Sequence, residues 1–383
     1  MRKSVFIIFV LFLVSSCGEK QDKVERIIED GVDVVISHLG PYKIKGEPYT
    51  FHLGEEFVID LERNDLAAIG LTEIRDFAVD STGSIYFSDS KSDGNLIFKF
   101  GADGNYLKSF CPKGQGPREL PSAPSVMSTQ DDRLVAYSRK KFLFFNSDGS
   151  LLREVRTDVT SIIEAKYLDN GNYLLQIVSA TKEGNQFKIT ALYDPQFKKI
   201  KELERIEFLP LVAQRVEGIY YNVVAEVNAG KIFIGSQQKD YEIYIYDFNG
   251  NLIRKIRKDY SGVSPSKEYQ ERFLSMFKGN PAVYEAALKK IYFPSSLPPF
   301  HYFLTDEKGR LYVMTYETGA DPGEYMFDIF DPEGAFTGRK SLKDFSYYEA
   351  LNGKIKIGHL YCIEEKESGY KELVVYKMTW EYE

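Results

Sequence analysis

Arg75-Asp76-Phe77-Ala78-Val79-Asp80-Ser81-Thr82-Gly83-Ser84-Ile85-Tyr86-Phe87-Ser88 is the stretch that decides the fold. Apolar and polar side chains alternate on both sides of a glycine, the pattern of two half-buried strands joined by a tight turn. The pattern continues downstream. Leu96 to Phe100 reads as a third strand, Asp103-Gly104 as a turn, and Tyr106 to Phe110 as a fourth strand. Asp-Gly and Asn-Gly supply the positive φ angles of two-residue hairpin turns. Residues 75–110 therefore read as one four-stranded meander.

The unit recurs. Turns between the third and fourth strands fall at Asp148-Gly149, Asn249-Gly250 and Glu333-Gly334, with Asp194-Pro195 standing in once. Turns between the first and second fall at Asn170-Gly171, Ala229-Gly230, Lys308-Gly309 and Asn352-Gly353, with Asp131-Asp132 in the second unit. The units lie near 65–110, 121–158, 160–205, 219–258, 299–343 and 344–380. Six copies of about 40–45 residues, each with four strands, are the mark of a β-propeller. The last unit has three good strands, 345–350, 354–363 and 371–380. An unpaired strand, Phe57 to Leu61, precedes the first unit. Pairing it with the outer edge of the last unit closes the ring and removes an open edge. The expected fold is all-β, a six-bladed propeller of four-stranded antiparallel blades. A large sandwich explains the regular turn spacing less well.

Two segments break the repeat. Residues 259–298 carry helical spacing over 266–277 and 281–290, with Pro265 suited to a helix start and Gly279-Asn280-Pro281 between them. This helical insertion between blades four and five reads as a cap on one face, with a lid or partner surface as the functional alternative. Gly114-Gln115-Gly116-Pro117-Arg118-Glu119 joins the first two units. It lacks the Lys-Ser/Thr ending and helix of a phosphate loop, so it reads as a specialised turn.

Composition narrows the function. The chain has 383 residues, 43% hydrophobic and 27% charged, with net charge −7. That is enough apolar material for a large core, and the acidic balance argues against nucleic acid as a partner. Tyr and Phe number 27 each against one Trp, which favours strands. Three Cys exclude a disulfide-dense scaffold. Cys111 and Cys362 fall on neighbouring blades, where two buried free thiols are expected and a bridge is the alternative.

The chain begins Met1-Arg2-Lys3 and runs apolar from Val5 to Val14, too short to span a bilayer, which needs about 20 residues. A basic start and a short apolar run describe a secretory signal. Leu13-Val14-Ser15-Ser16-Cys17-Gly18 resembles the lipobox of bacterial lipoproteins. The resemblance implies cleavage before Cys17 and acylation of that residue, palmitate being one such chain. The expected organisation is a signal peptide over 1–16, a lipidated tether over 17–50 and the propeller over 51–383. A short helix within 23–36 is the one element expected in the tether. The 76–87 blade, the 114–119 linker, the insertion followed by Pro298-Pro299-Phe300, and Leu304-Thr305-Asp306-Glu307-Lys308-Gly309-Arg310-Leu311-Tyr312-Val313 together resemble the six-bladed propeller lipoproteins of Bacteroidetes-type bacteria, similar in build to NHL-repeat propellers. That resemblance implies a place in the cell envelope, outer membrane included, in the periplasm or at the cell surface. It implies little about activity.

Catalytic signals are scarce. No HExxH, GxSxG, CxxC or EF-hand loop is present, and there are four His. A propeller collects function where its inner strands begin. Those positions include Arg75, Asp76, Glu164, Asn222, His301 and Tyr348. Asp76, Glu164 and Asn222 supply the hard oxygen donors that calcium prefers, as in calcium-dependent propeller hydrolases and lyases. Their plainer reading is as caps on strand ends. Tyr220-Tyr221, Tyr241, Tyr244, Tyr246 and Tyr347-Tyr348 suit a recognition surface. The expectation is a lipid-anchored module without catalysis or cofactor, binding an envelope protein, peptide or glycan. A calcium-dependent hydrolase or lyase at the channel mouth is the competing reading.

Overall fold

The computed structural model describes residues 24–129, 131–182, 185–207, 215–279, 281–343 and 353–382. Cys17 and Tyr348 lie outside them. Six four-stranded antiparallel blades form a propeller ring. The innermost strands are Ile74–Val79, Ser125–Ser128, Ile162–Tyr167, Val223–Asn228, Tyr302–Thr305 and Gly353–Lys356. Closure follows the sequence reading. Pro48–Asp60 pairs antiparallel with Lys371–Tyr382 on the outer edge of blade six, with Val58 opposite Val374.

The core lies between the blades. One apolar cluster fills the space between blades six and one, through Ile59, Phe77, Phe87 and Val375. Others join one to two, two to three and three to four. The largest runs through blades four, five and six. Cys111 and Cys362 are buried free thiols in different clusters. Burial pushes the Cys111 thiol up to about 12, so it stays protonated and inert.

The turns differ from the expected two-residue type. In most of them only the Gly has positive φ: Gly83, Gly104, Gly149, Gly171, Gly250, Gly309 and Gly334. The residue three before it begins the turn, as in Gly83 N–H donating to Asp80 O. This is a tight turn followed by one left-handed residue. In four of these seven turns an Asp stands at the start. Asp80, Asp247, Asp306 and Asp331 each accept from the N–H groups two and four residues on, through one oxygen. Asp194 does the same where Phe197 replaces Gly. True two-residue turns, with both φ positive, occur at Asp30-Gly31, Ala229-Gly230 and Ile357-Gly358. The blade-six turn is therefore at Ile357-Gly358 and not at Asn352-Gly353.

The stretch read as a tether with a short helix is corrected by its described part. Glu25–Glu29 and Val32–Ser37 form a hairpin. Its second strand pairs in parallel with Leu252–Lys258, so blade four carries six strands. Val34 and Val35 are wholly buried. Asp30-Gly31 between alternating β-branched residues is a hairpin signal, and it outweighs helical spacing here. The chain then crosses blade five, where Tyr42 N–H donates to Phe336 O at 2.7 Å and Arg310 meets Glu47 at 3.2 Å.

The insertion forms its two expected helices, Lys267–Ser275 and Pro281–Lys290. The Ser266 side chain caps the first by accepting from Tyr269 N–H. Tyr269 and Phe273 pack on Phe293, and Tyr269 meets Tyr316 of blade five. Ile291–Tyr292 pairs in parallel with Val216–Glu217, tying the insertion to the approach to blade four.

Candidate functional site

Two cavities take in residues at the upper face, where the inner strands begin. The first is the central channel, about 340 Å³, walled by all six inner strands. Asp76, Glu164 and Asn222 line it. Arg75 is exposed beside it and does not line it. His301 lies outside the channel, with Nδ1 3.4 Å from Tyr316 Oη.

The channel side chains fasten blade to blade. One Asp76 oxygen accepts from Phe77 N–H at 2.8 Å, and the other from Val126 N–H of blade two at 2.9 Å. Lys354 of blade six stands 3.9 Å away. Lys166 of blade three sits 3.1 Å from both Glu164 and Glu226, the latter on blade four. Asn222 Oδ1 accepts from Val223 N–H at 2.9 Å and from Lys188 Nζ at 3.0 Å. Asn228 of blade four donates to Thr305 O of blade five at 3.2 Å.

Burial sets the electrostatics. It holds the Asp76 carboxyl above its ordinary range, against the pull of Lys354 and two backbone N–H groups. Burial also brings the Lys188 ammonium down to about 8, against the opposing pull of Glu164. Burial would lower Lys166 as well, but Glu226 and Glu164 outweigh it and raise that group. Among the described residues, no three His, Cys, Asp or Glu side chains gather as a metal-holding group. Asp76, Glu164 and Asn222 share the channel wall, each engaged with its own protein partners.

The 114–119 linker is also self-contained. Glu119 accepts from Gly116 N–H at 2.8 Å, and Lys141 donates to Gly116 O and Glu119 O. A Cβ on Gly114 would fall 2.0 Å from the Glu119 carboxylate. The glycines there serve close packing within the turn.

The second cavity is a groove of about 1020 Å³. It is walled by Ile36 and Leu39 of the N-terminal segment, Tyr221, residues 237–242 and 257–260 of blade four, and residues 296–299 of the insertion. Its cations are internally neutralised. Arg257 bonds Glu242 at 2.6 Å and Glu29 at 2.7 Å, and Lys239 pairs with Glu204. Lys258, at the floor, sits 3.3 Å from Asp328, whose side chain is fully buried. Tyr241 donates to the same Asp328 at 3.0 Å, and Arg339 donates to its other oxygen at 2.7 Å. At the rim, Asp259 meets His38 at 2.9 Å. The exposed Asp240 carboxylate has no bond or ion pair among the described residues. The Tyr260 ring is 37% exposed, edge-on to Tyr241. An exposed ring, an exposed carboxylate and a proline wall meet in this groove.

Of the tyrosines picked out by sequence, Tyr221 and Tyr241 line the groove. Tyr244 and Tyr246 pack between blades three and four, and Tyr220 is exposed beneath the Lys188 amine. Tyr260 and Asp240, also in the groove, belong to no motif. Their one signal is position, since each adjoins a strand of blade four on the upper face.

No family model matches the chain, and no curated protein matches it. Solved structures do. A Bacteroides fragilis protein, provisionally described as exported, is 13% identical, covers 90% of this chain and 99% of its own, and gives a TM-score of 0.53. A DUF4221 family member from Bacteroides vulgatus is 11% identical, covers 88% and 100%, and gives 0.54. At such identities the likeness is one of fold.

Proposed function

We propose that the chain is an extracytoplasmic propeller, anchored to a membrane through a lipid on Cys17, that binds an envelope protein, peptide or glycan in the upper-face groove. It performs no chemistry of its own and needs no cofactor. The observation that carries this reading is the contrast between the two cavities. The groove keeps an exposed ring and an exposed carboxylate, whereas the channel carboxylates fasten blades together. The lipobox-like 13–18 stretch supports the anchor, and the exported fold neighbour from Bacteroides fragilis supports the location. The outer membrane is the membrane proposed.

The test uses a soluble form beginning at Gly18. It is screened against peptide and glycan arrays, and the first hit is titrated against Tyr260→Ala and Asp240→Ala. Weakened binding in both, with folding intact, supports the groove. Turnover of a lactone or glycoside substrate that appears with calcium and disappears with EDTA sinks the reading in favour of an enzyme.

A further inference from the structure

We infer that the outer edge of blade four, formed by residues 24–39, is the surface on which the propeller rests against the bilayer. The groove then opens beside the membrane surface. This rests on the reading that Cys17 carries the lipid.

The first argument is reach. Seven residue steps separate Cys17 from Val24. Fully extended, they span at most about 25 Å. Val24 leads directly into a strand held by five paired positions to its neighbour, which is itself held by five to blade four. The hairpin therefore moves with the ring, and its edge cannot leave the membrane's vicinity.

The second argument is where the chain enters. Glu25 lies opposite Ile36, and Ile36 lies beside Arg257 at the upper end of the blade. Ile36 and Leu39 are also groove walls. The anchored end and the groove thus share one corner of the molecule.

The third argument is the chemistry of the edge. Ile28 is 71% exposed, the most exposed large apolar side chain described, and Leu39 is 58% exposed. Most charges around them are paired within the protein, the exposed Asp30 in the hairpin turn being the exception. Glu29 meets Arg257 and Lys255, and Asp33 meets Arg26 and Arg254. An edge with exposed aliphatics and largely neutralised charge gains from the headgroup boundary with little repulsion from anionic lipid. The free backbone groups of Glu25–Glu29 stay at the hydrated interface, because an open strand edge cannot enter hydrocarbon.

Other blades offer comparable aliphatics, which serve as controls. Leu107 on blade one is 55% exposed and Leu152 on blade two 47%. They match in chemistry and differ in distance along the ring from the anchor.

The experiment uses the full lipidated chain in phosphatidylethanolamine–phosphatidylglycerol vesicles with brominated acyl chains. Ile28→Cys, Leu39→Cys, Leu107→Cys and Leu152→Cys are each labelled with bimane under native conditions, where Cys111 and Cys362 are buried. Quenching severalfold stronger at 28 and 39 than at 107 and 152 is expected. Equal quenching at all four, or stronger quenching at 107 or 152, overturns the docking surface. Intact mass and a Cys17→Ser control report lipidation separately. A dipalmitoyl group coupled chemically to Cys17 repeats the comparison in a chain that cells leave unlipidated. The two claims therefore fail independently.

Discussion

The channel and the groove both take in charged residues at the face where the inner strands begin. In the channel, Asp76 holds two backbone N–H groups from different blades, and Lys166 joins Glu164 to Glu226. In the groove, charges are tied down at the floor, through Lys258 and Asp328, while Asp240 and Tyr260 at the rim remain exposed. The difference teaches that polarity in a cavity is no measure of availability. A ring of blades needs fasteners where its inner strands converge. Asp76 and the Glu164–Lys166–Glu226 bridge occupy those positions and join neighbouring blades.

Substitutions can break or sharpen this contrast. The largest effect is expected beneath the groove. Asp328→Ala leaves Lys258 and Arg339 without their shared carboxylate in a fully buried site. A loss of about 3–5 kcal/mol is expected in denaturant unfolding. In the channel, Asp76→Ala strands the N–H groups of Phe77 and Val126 and costs about 1–3 kcal/mol. Groove binding is unchanged by it. If that variant instead abolishes binding and leaves stability intact, the contrast is wrong.

The same carboxyl gives a pH signature. Its folded pKa lies above the ordinary carboxylate range because of burial. The folded chain therefore holds that proton more tightly than the unfolded chain. The associated stability is complete below the ordinary carboxylate range and is lost as pH rises through the raised value. Asp76→Asn removes this component from the pH profile of unfolding.

A smaller loss, about 1 kcal/mol, is expected for Asp247→Ala, which removes the oxygen receiving Asn249 and Asn251 N–H in an exposed turn. The rim changes are as small or smaller. Asp240→Ala should shift stability by no more than about 0.5 kcal/mol, as exposed positions do, and Tyr260→Ala by about 1 kcal/mol through its lost edge contact with Tyr241. Thermal unfolding checks this, and it is what makes them clean probes of binding.

Much of the fold was legible because a propeller repeats its signal. Six strand-and-turn units and an orphan strand at 57–61 were enough to predict the ring and its closure. Local geometry was less legible. The glycines are visible in the sequence, but the Asp three residues before Gly83, Gly250, Gly309 and Gly334, which holds those four turns, carries no signal beyond its spacing. The inner strand of blade six was displaced because its turn uses Ile357, a β-branched residue at φ 53°, where no propensity predicts one. At Asp30-Gly31 the hairpin signal competes with helical spacing in the residues around it. Of the groove, only Tyr221 and Tyr241 were legible. Its walls come from residues 36–39, 237–260 and 296–299, which only the ring and its belt bring together. The channel mouth, by contrast, follows from strand starts alone, which is why sequence pointed there.

The most direct test is one pair of binding isotherms against the first array ligand retrieved. A Tyr260→Ala/Asp240→Ala variant should bind at least about tenfold more weakly, as loss of an aromatic anchor does. An Asp76→Asn/Glu164→Gln variant should bind as the wild type does. Full binding by the groove variant with loss in the channel variant contradicts the account and returns the site to the channel mouth.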